Sequence, residues 1–234
     1  MSANLMSLAR SGGKFLKLFG DRKMMKTIPT ARDYVQDGLI AMWDGIEGGW
    51  ANIVGGHEQM EFVGTHQLKN DYVYIDGRSG SYGIVNGLSL GSNPTTQEFV
   101  VKIDDRDGYG RIIAENTGLC LSGIGESMFR LYGFGLDANI SYNVIFGERM
   151  SVSLGIGNEK VDHLYLNGES IKLPNTINVV KSNYPSVATF FNREAGRRGI
   201  TGELCCARIY NRVISDQDIA ANYAIDKARF NLPD

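Results

Sequence analysis

The chain is poor in cysteine, proline and long apolar runs, and each shortage excludes something. Three cysteines stand among 234 residues, Cys120, Cys205 and Cys206. An odd count with two adjacent members makes no disulfide framework, and no zinc-ligand spacing is present. Neighbouring strand residues point to opposite faces, so Cys205 and Cys206 are expected to act apart, as small reduced core residues. The five prolines argue against a collagenous or proline-rich disordered chain. No run approaches the ~20 apolar residues of a membrane-spanning helix. Residues 1–10 lack the apolar stretch of about 7–15 residues that a secretory signal carries. The expectation is a protein made in the host cytoplasm that does not leave by the general secretory route.

Catalytic signatures are equally scarce. There is no P-loop, dinucleotide fingerprint or nucleophile elbow. The three histidines, His57, His66 and His163, have no metal-ligand spacing. His163 falls in a strand pattern and reads as structural. Gly108-Tyr-Gly110 and Gly133-Phe-Gly135 are too short for a phosphate cradle and read as strand bends.

What is present is glycine and short alternating segments. The 29 glycines are about 12% of the chain, against a usual ~7%. High glycine with low proline fits tight turns between strands. Segments of strand character run over Gly38–Trp43, Tyr72–Ile75, Glu98–Ile103, Arg111–Ala114, Met128–Tyr132, Tyr142–Phe146, Arg149–Leu154, His163–Leu166, Ala188–Phe191 and Glu203–Tyr210. Several end in Asp-Gly or Asn-Gly, and Asn167-Gly168 is the strongest hairpin signal. Ser215-Asp-Gln-Asp218 has the form of a helix N-cap box. It predicts a helix over about 215–230, closing one edge of the sheet structure. The pattern is all-β: a two-sheet antiparallel jelly-roll sandwich over 37–234 with a short C-terminal helix.

Residues 1–36 differ. Arg10, Lys14, Lys17, Arg22, Lys23, Lys26 and Arg32 face only Asp21 within the first 32 residues, giving 7 − 1 = +6. The whole chain carries −2, so the remainder carries −8. Phe15, Leu18 and Phe19 fall on one face of a short basic helix, which Gly20 would stop. So short a helix needs a surface to lie on. The segment reads as an arm docking through Arg10, Lys14, Phe15, Lys17, Leu18, Phe19, Arg22 and Lys23 to an acidic protein partner. Nucleic acid is the less expected partner, beside a domain of net negative charge.

Three stretches together resemble the LamG-like branch of the concanavalin A-like lectin/glucanase superfamily. They are Gly38-Leu-Ile-Ala-Met-Trp-Asp-Gly-Ile46, His163-Leu-Tyr-Leu-Asn-Gly-Glu169 and Gly202-Glu-Leu-Cys-Cys-Ala-Arg-Ile-Tyr-Asn-Arg-Val-Ile-Ser-Asp-Gln-Asp-Ile219. The resemblance spans about residues 38–225, and its opening is similar to LamG-like proteins of gut Bacteroidetes and their phages. It implies the jelly-roll fold. Glycosidases of the superfamily carry an E-x-D-x-x-E strand that sets two carboxylates for acid and nucleophile work. That motif is missing here, and Glu58-Gln-Met-Glu61 lacks its central acid. A non-enzyme is expected.

The leading expectation is a structural or attachment protein of a phage virion (capsid decoration, head fibre or tail), docked through residues 1–36. It would be oligomeric or part of a larger assembly, and would display a domain able to meet a surface or mucosal glycan. A free carbohydrate-binding lectin of a gut bacterium is the first alternative, and a divergent glycoside hydrolase the second. The aromatic candidates for glycan are Trp50, Tyr82 and Tyr109, with loop packing against the sandwich as the alternative for Trp50. No cofactor is required; the one metal alternative is Ca²⁺ on Asp105 and Asp107, against a plain hairpin turn at the same place.

Overall fold

The computed structural model describes residues 28–56, 59–88, 94–106, 111–115, 120–124, 128–133, 136–141, 145–158, 160–173, 187–191 and 199–233. The docking candidates Arg10, Lys14, Phe15, Lys17, Leu18, Phe19, Arg22 and Lys23 lie outside the described residues, as do Asp107 and Tyr109.

Two antiparallel sheets make up the domain. One contains β1 (Leu39–Asp44), β3 (His66–Leu68), β4 (Val73–Asp76), β6 (Thr95–Arg106), β11 (Arg149–Ile156), β12 (Val161–Leu166), β13 (Glu169–Ser170) and β15 (Ile200–Tyr210). Its order is β13-β12-β11-β6-β15-β4-β3, and β1 also pairs with β15. The second contains β2 (Glu61–Val63), β5 (Tyr82–Asn86), β7 (Arg111–Glu115), β8 (Cys120–Ile124), β9 (Met128–Gly133), β10 (Leu136–Ser141) and β14 (Val187–Phe190), in the order β10-β9-β8-β7-β14-β5-β2. The short connection from β2 to β3 crosses from the edge of one sheet to the edge of the other.

The core lies between the sheets. Trp43 is fully buried and meets Phe190 edge-on at 5.9 Å, and Phe99 meets the same ring at 6.3 Å. Alternation places Phe99, Val101 and Ile103 of β6 inward with Val152 and Leu154 of β11. The hairpin expected at Asn167-Gly168 joins β12 and β13, and both residues have positive φ (49° and 74°). That is the backbone a tight two-residue turn requires.

The one described α-helix, α1 (Asp216–Phe230), starts where the cap box predicts. Ser215 Oγ accepts from the Asp218 amide, and the Asp218 carboxylate accepts from the Ser215 amide, both at 3.2 Å. Such a cap contributes about 1 kcal/mol. Its position corrects the expectation: α1 lies on the outer face of the first sheet and does not close an edge. It buries Ile219, Asn222, Asp226, Arg229 and Phe230 there.

Two further expectations are corrected. Ile145 and Phe146 are not in a strand; the hairpin partner of β9 is β10, Leu136–Ser141. Cys205 and Cys206 do not face opposite ways. The β15 register shifts between Leu204 and Cys206, and a bulge puts two successive residues on one side. Both thiols sit fully buried in the cluster under α1 with Met42, Val100 and Phe230. Burial raises both pKa values, so they are held as inert thiols.

The end of the expected arm is part of this layer. Tyr34 is 2% exposed, its hydroxyl donates to Asp226 Oδ1 (2.8 Å), and the Val35 amide donates to Asn222 Oδ1 (3.0 Å).

Candidate functional site

The densest polar cluster is sealed beneath α1. Arg208 grips Asp226 with both Nη atoms, at 2.6 and 2.7 Å, and Nε donates to Glu98 Oε2 at 3.0 Å. Asp226 also accepts from Tyr34 and from Ser151 Oγ (2.9 Å). Asn222 Nδ2 donates to Glu98 (2.8 Å) and to the Tyr210 hydroxyl (3.0 Å). The Tyr34 ring lies 4.1 Å from the Arg208 guanidinium carbon. Burial raises the Glu98 pKa, opposed by Arg208. Arg208 and Asp226 are wholly inaccessible, so this network is structural: it fixes helix, N-terminal segment and sheet to one another.

The open half of the same sheet face is different. In-register pairing aligns Gln67 of β3 with Tyr74 of β4, Tyr74 with Glu203 of β15, Glu203 with Lys102 of β6, and Lys102 with Arg149 of β11. Five strands thus present one continuous polar row on the outer face. Four interstrand spacings make it about 19 Å long.

Its charges are interlocked. Lys102 Nζ lies 3.1 Å from Asp104 Oδ1 and 3.2 Å from Glu203 Oε1. Arg149 Nε meets Glu203 Oε2 at 2.8 Å, and its Nη1 meets Asp71 Oδ2 at 2.7 Å. Burial works against the Lys102 charge, but its bonds to Asp104 and Glu203 outweigh that and leave its pKa raised. Arg149 also lies over the Tyr72 ring, 5.2 Å from its centroid. Tyr72 and Tyr74 are both half-buried. Partial burial and the nearby Asp104 carboxylate raise the Tyr74 pKa, so its hydroxyl stays protonated at neutral pH. Beside the row is an open depression of about 350 Å³, lined by Glu148, Arg149, Phe230, Asn231 and Pro233. Arg149 belongs to both.

This arrangement can hold a hydroxyl-rich ligand. Carboxylate oxygens accept, the Tyr74 and Gln67 side chains both donate and accept, and the phenol rings offer apolar faces.

The aromatics singled out from sequence do not meet here. Trp50 takes the packed alternative and not the glycan-facing one: the ring is 3% exposed and packs edge-on against Phe62 at 5.4 Å. A Gly-Gly-Trp loop looks solvent-facing in sequence, but the 3₁₀ turn Gly48–Trp50 folds the indole into the core. Tyr82 is half-buried on β5, whose alternation with inward Val85 puts it on the outer face of the second sheet. Asp105 Oδ1 accepts from Arg78 Nη2 at 2.7 Å. Among the described residues, no group of three or more His, Cys, Asp or Glu side chains could hold a metal ion. Sequence reasoning missed Gln67, Tyr74, Lys102, Arg149 and Glu203. Alternation places each on the outer face of its strand, but only register makes them neighbours.

No protein-family model and no curated protein matches the chain. Solved structures do. The binding domain of botulinum neurotoxin DC, in complex with rat synaptotagmin II, superposes with a TM-score of 0.61 at 16% identity, over 80% of this chain and 51% of that one. Trypanosoma rangeli sialidase superposes at 0.60 and 15% identity, over 86% of this chain and 33% of the enzyme. The fold is an all-β jelly-roll sandwich. A botulinum neurotoxin type C structure, described as needing two ganglioside molecules for cell entry, gives 0.62 at 16% identity, over 80% and 51%. This jelly-roll therefore spans about half of the toxin chains and a third of the sialidase. At these identities the likeness concerns the fold alone.

Proposed function

We propose that this jelly-roll is a non-catalytic glycan-binding module displayed on a larger assembly by its basic N-terminal arm. The carrying observation is the Gln67–Tyr74–Glu203–Lys102–Arg149 row, an extended hydrogen-bonding strip beside an open depression. Its acids favour binding over hydrolysis. A general acid works from an apolar setting that keeps it protonated, whereas Glu203 is gripped by Lys102 and Arg149 and Asp104 by Lys102. Two of the toxin neighbours carry names that include a sialylated ligand or gangliosides, which lends the glycan reading support by analogy.

The LamG-like resemblance and the +6 arm favour a phage virion as the assembly, with the module oligomeric upon it. A free bacterial lectin is the competing reading. Two experiments separate these proposals. Full-length protein is titrated against immobilised oligosaccharides; Tyr74→Ala, with an unchanged circular dichroism spectrum, is expected to weaken binding at least tenfold. Binding that ignores this change refutes the site. For display, the native mass is compared between the full chain and residues 28–234, a truncation that spares Tyr34. Loss of a large assembly on truncation supports docking by the arm, and an unchanged mass refutes it.

A further inference from the structure

We infer that the row and its depression bind uncharged, hydroxyl-rich glycan chains and discriminate against sialylated or sulfated ones. The inference rests on the glycan-binding reading above and adds the ligand class. Its basis is the balance of charge. Two cations, Lys102 and Arg149, face three carboxylates, Asp71, Asp104 and Glu203, and each cation already holds two of them at 2.7–3.2 Å. An incoming carboxylate or sulfate meets cations whose charge these three acids already more than offset, so it gains little attraction from them.

The surroundings add to the bias. Exposed Glu148 stands on the wall of the depression, making the local balance two cations against four acids. The same wall is the C-terminal end of α1, where unpaired carbonyls carry about half a negative charge. Arg149 Nη1 caps one of them, the Phe230 carbonyl, at 3.3 Å. A neutral sugar meets none of this repulsion and finds acceptors on the acids and donors on Tyr74 and Gln67. The length of the row, about 19 Å, suits a chain of rings better than one terminal acidic sugar.

The test uses the full chain and matched probes: N-acetyllactosamine and its sialylated form, neutral glucan and mannan oligosaccharides, chondroitin sulfate and heparin. At least one neutral probe is expected to bind. Acidic probes should bind at least tenfold more weakly at low salt, with the gap narrowing at high salt as charges are screened. Glu148→Lys should narrow it too. An acidic probe bound as tightly as any neutral one, and lost in Tyr74→Ala, overturns the inference and leaves the site standing. Binding of no probe, or binding indifferent to Tyr74→Ala, overturns the site reading and the inference with it.

Discussion

Replacing Asp226 by Asn tests whether the sealed network holds the helix to the sheet. The substitution keeps shape and removes one charge. It also turns one acceptor into an amide donor, set against an Arg208 Nη that now lies 2.6 or 2.7 Å away. Tyr34 and Ser151 each donate to an Asp226 oxygen, and one of them loses its acceptor. Breaking a buried pair costs about 3–5 kcal/mol. Glu98 stays beside Arg208 and retains part of the compensation, so the lower end, about 3 kcal/mol, is expected. In a domain of this size each kcal/mol moves Tm by about 2–4 °C, giving a fall of roughly 6–12 °C by scanning calorimetry. Adding Arg208→Met together with Glu98→Gln removes the remaining buried cation and its acid at once, and should recover part of the loss. The reasoning is refuted if Asp226→Asn alone moves Tm by less than about 2 °C, or if adding Arg208→Met and Glu98→Gln together deepens the loss additively.

Other consequences concern His163 and Trp50. Burial lowers the His163 pKa from its usual 6.5, against the opposing pull of Asp216 and Asp162, and Nε2 is buried with no hydrogen-bond partner. Tyr165 packs edge-on against the ring at 5.4 Å. The folded protein therefore resists protonation that the unfolded chain accepts. This contribution to stability is intact above pH 6.5 and is lost as pH falls below it towards the folded-state pKa. Urea midpoints at pH 7.5 and 5.5 should differ less in His163→Gln than in the parent protein; an equal difference sinks the assignment. Trp50→Ala removes a core indole that contacts Phe62. It should cost about 3–5 kcal/mol while leaving glycan affinity within twofold at a temperature where the variant stays folded. A selective loss of binding with unchanged stability would return Trp50 to the site.

The fold was legible where a signal is local. Alternation located most strands, Asn167-Gly168 announced its hairpin, and Ser215 with Asp218 set the start of the helix. What stayed hidden depends on partners distant in sequence. Asn222 and Asp226 look like solvent-facing residues of an amphipathic helix, yet both are fully buried. Their counterparts Glu98 and Arg208 lie over a hundred residues away or across a turn. The bulge that turns Cys205 and Cys206 to one side arises from registering β15 against β6, which no window of sequence contains. The row is hidden for the same reason: its five members come from five strands.

The placement of α1 connects these points. A sheet strand offers its inner face to the core and its outer face to whatever remains. Here the helix covers one part of that outer face, over Val100, Ser151, Cys206 and Arg208, and leaves uncovered the part where the half-buried Tyr74 and Lys102 flank buried Glu203. β15 passes through both regions. Its Arg208 is locked under the helix, and its buried Glu203, five residues earlier, is the hub of the ion pairs with Lys102 and Arg149. Arg149 spans the boundary, holding Glu203 on one side and the last carbonyl of the helix on the other. The seating of the helix therefore fixes the geometry of the row. Loosening the sealed network should disturb the open site even though none of its residues can touch a ligand.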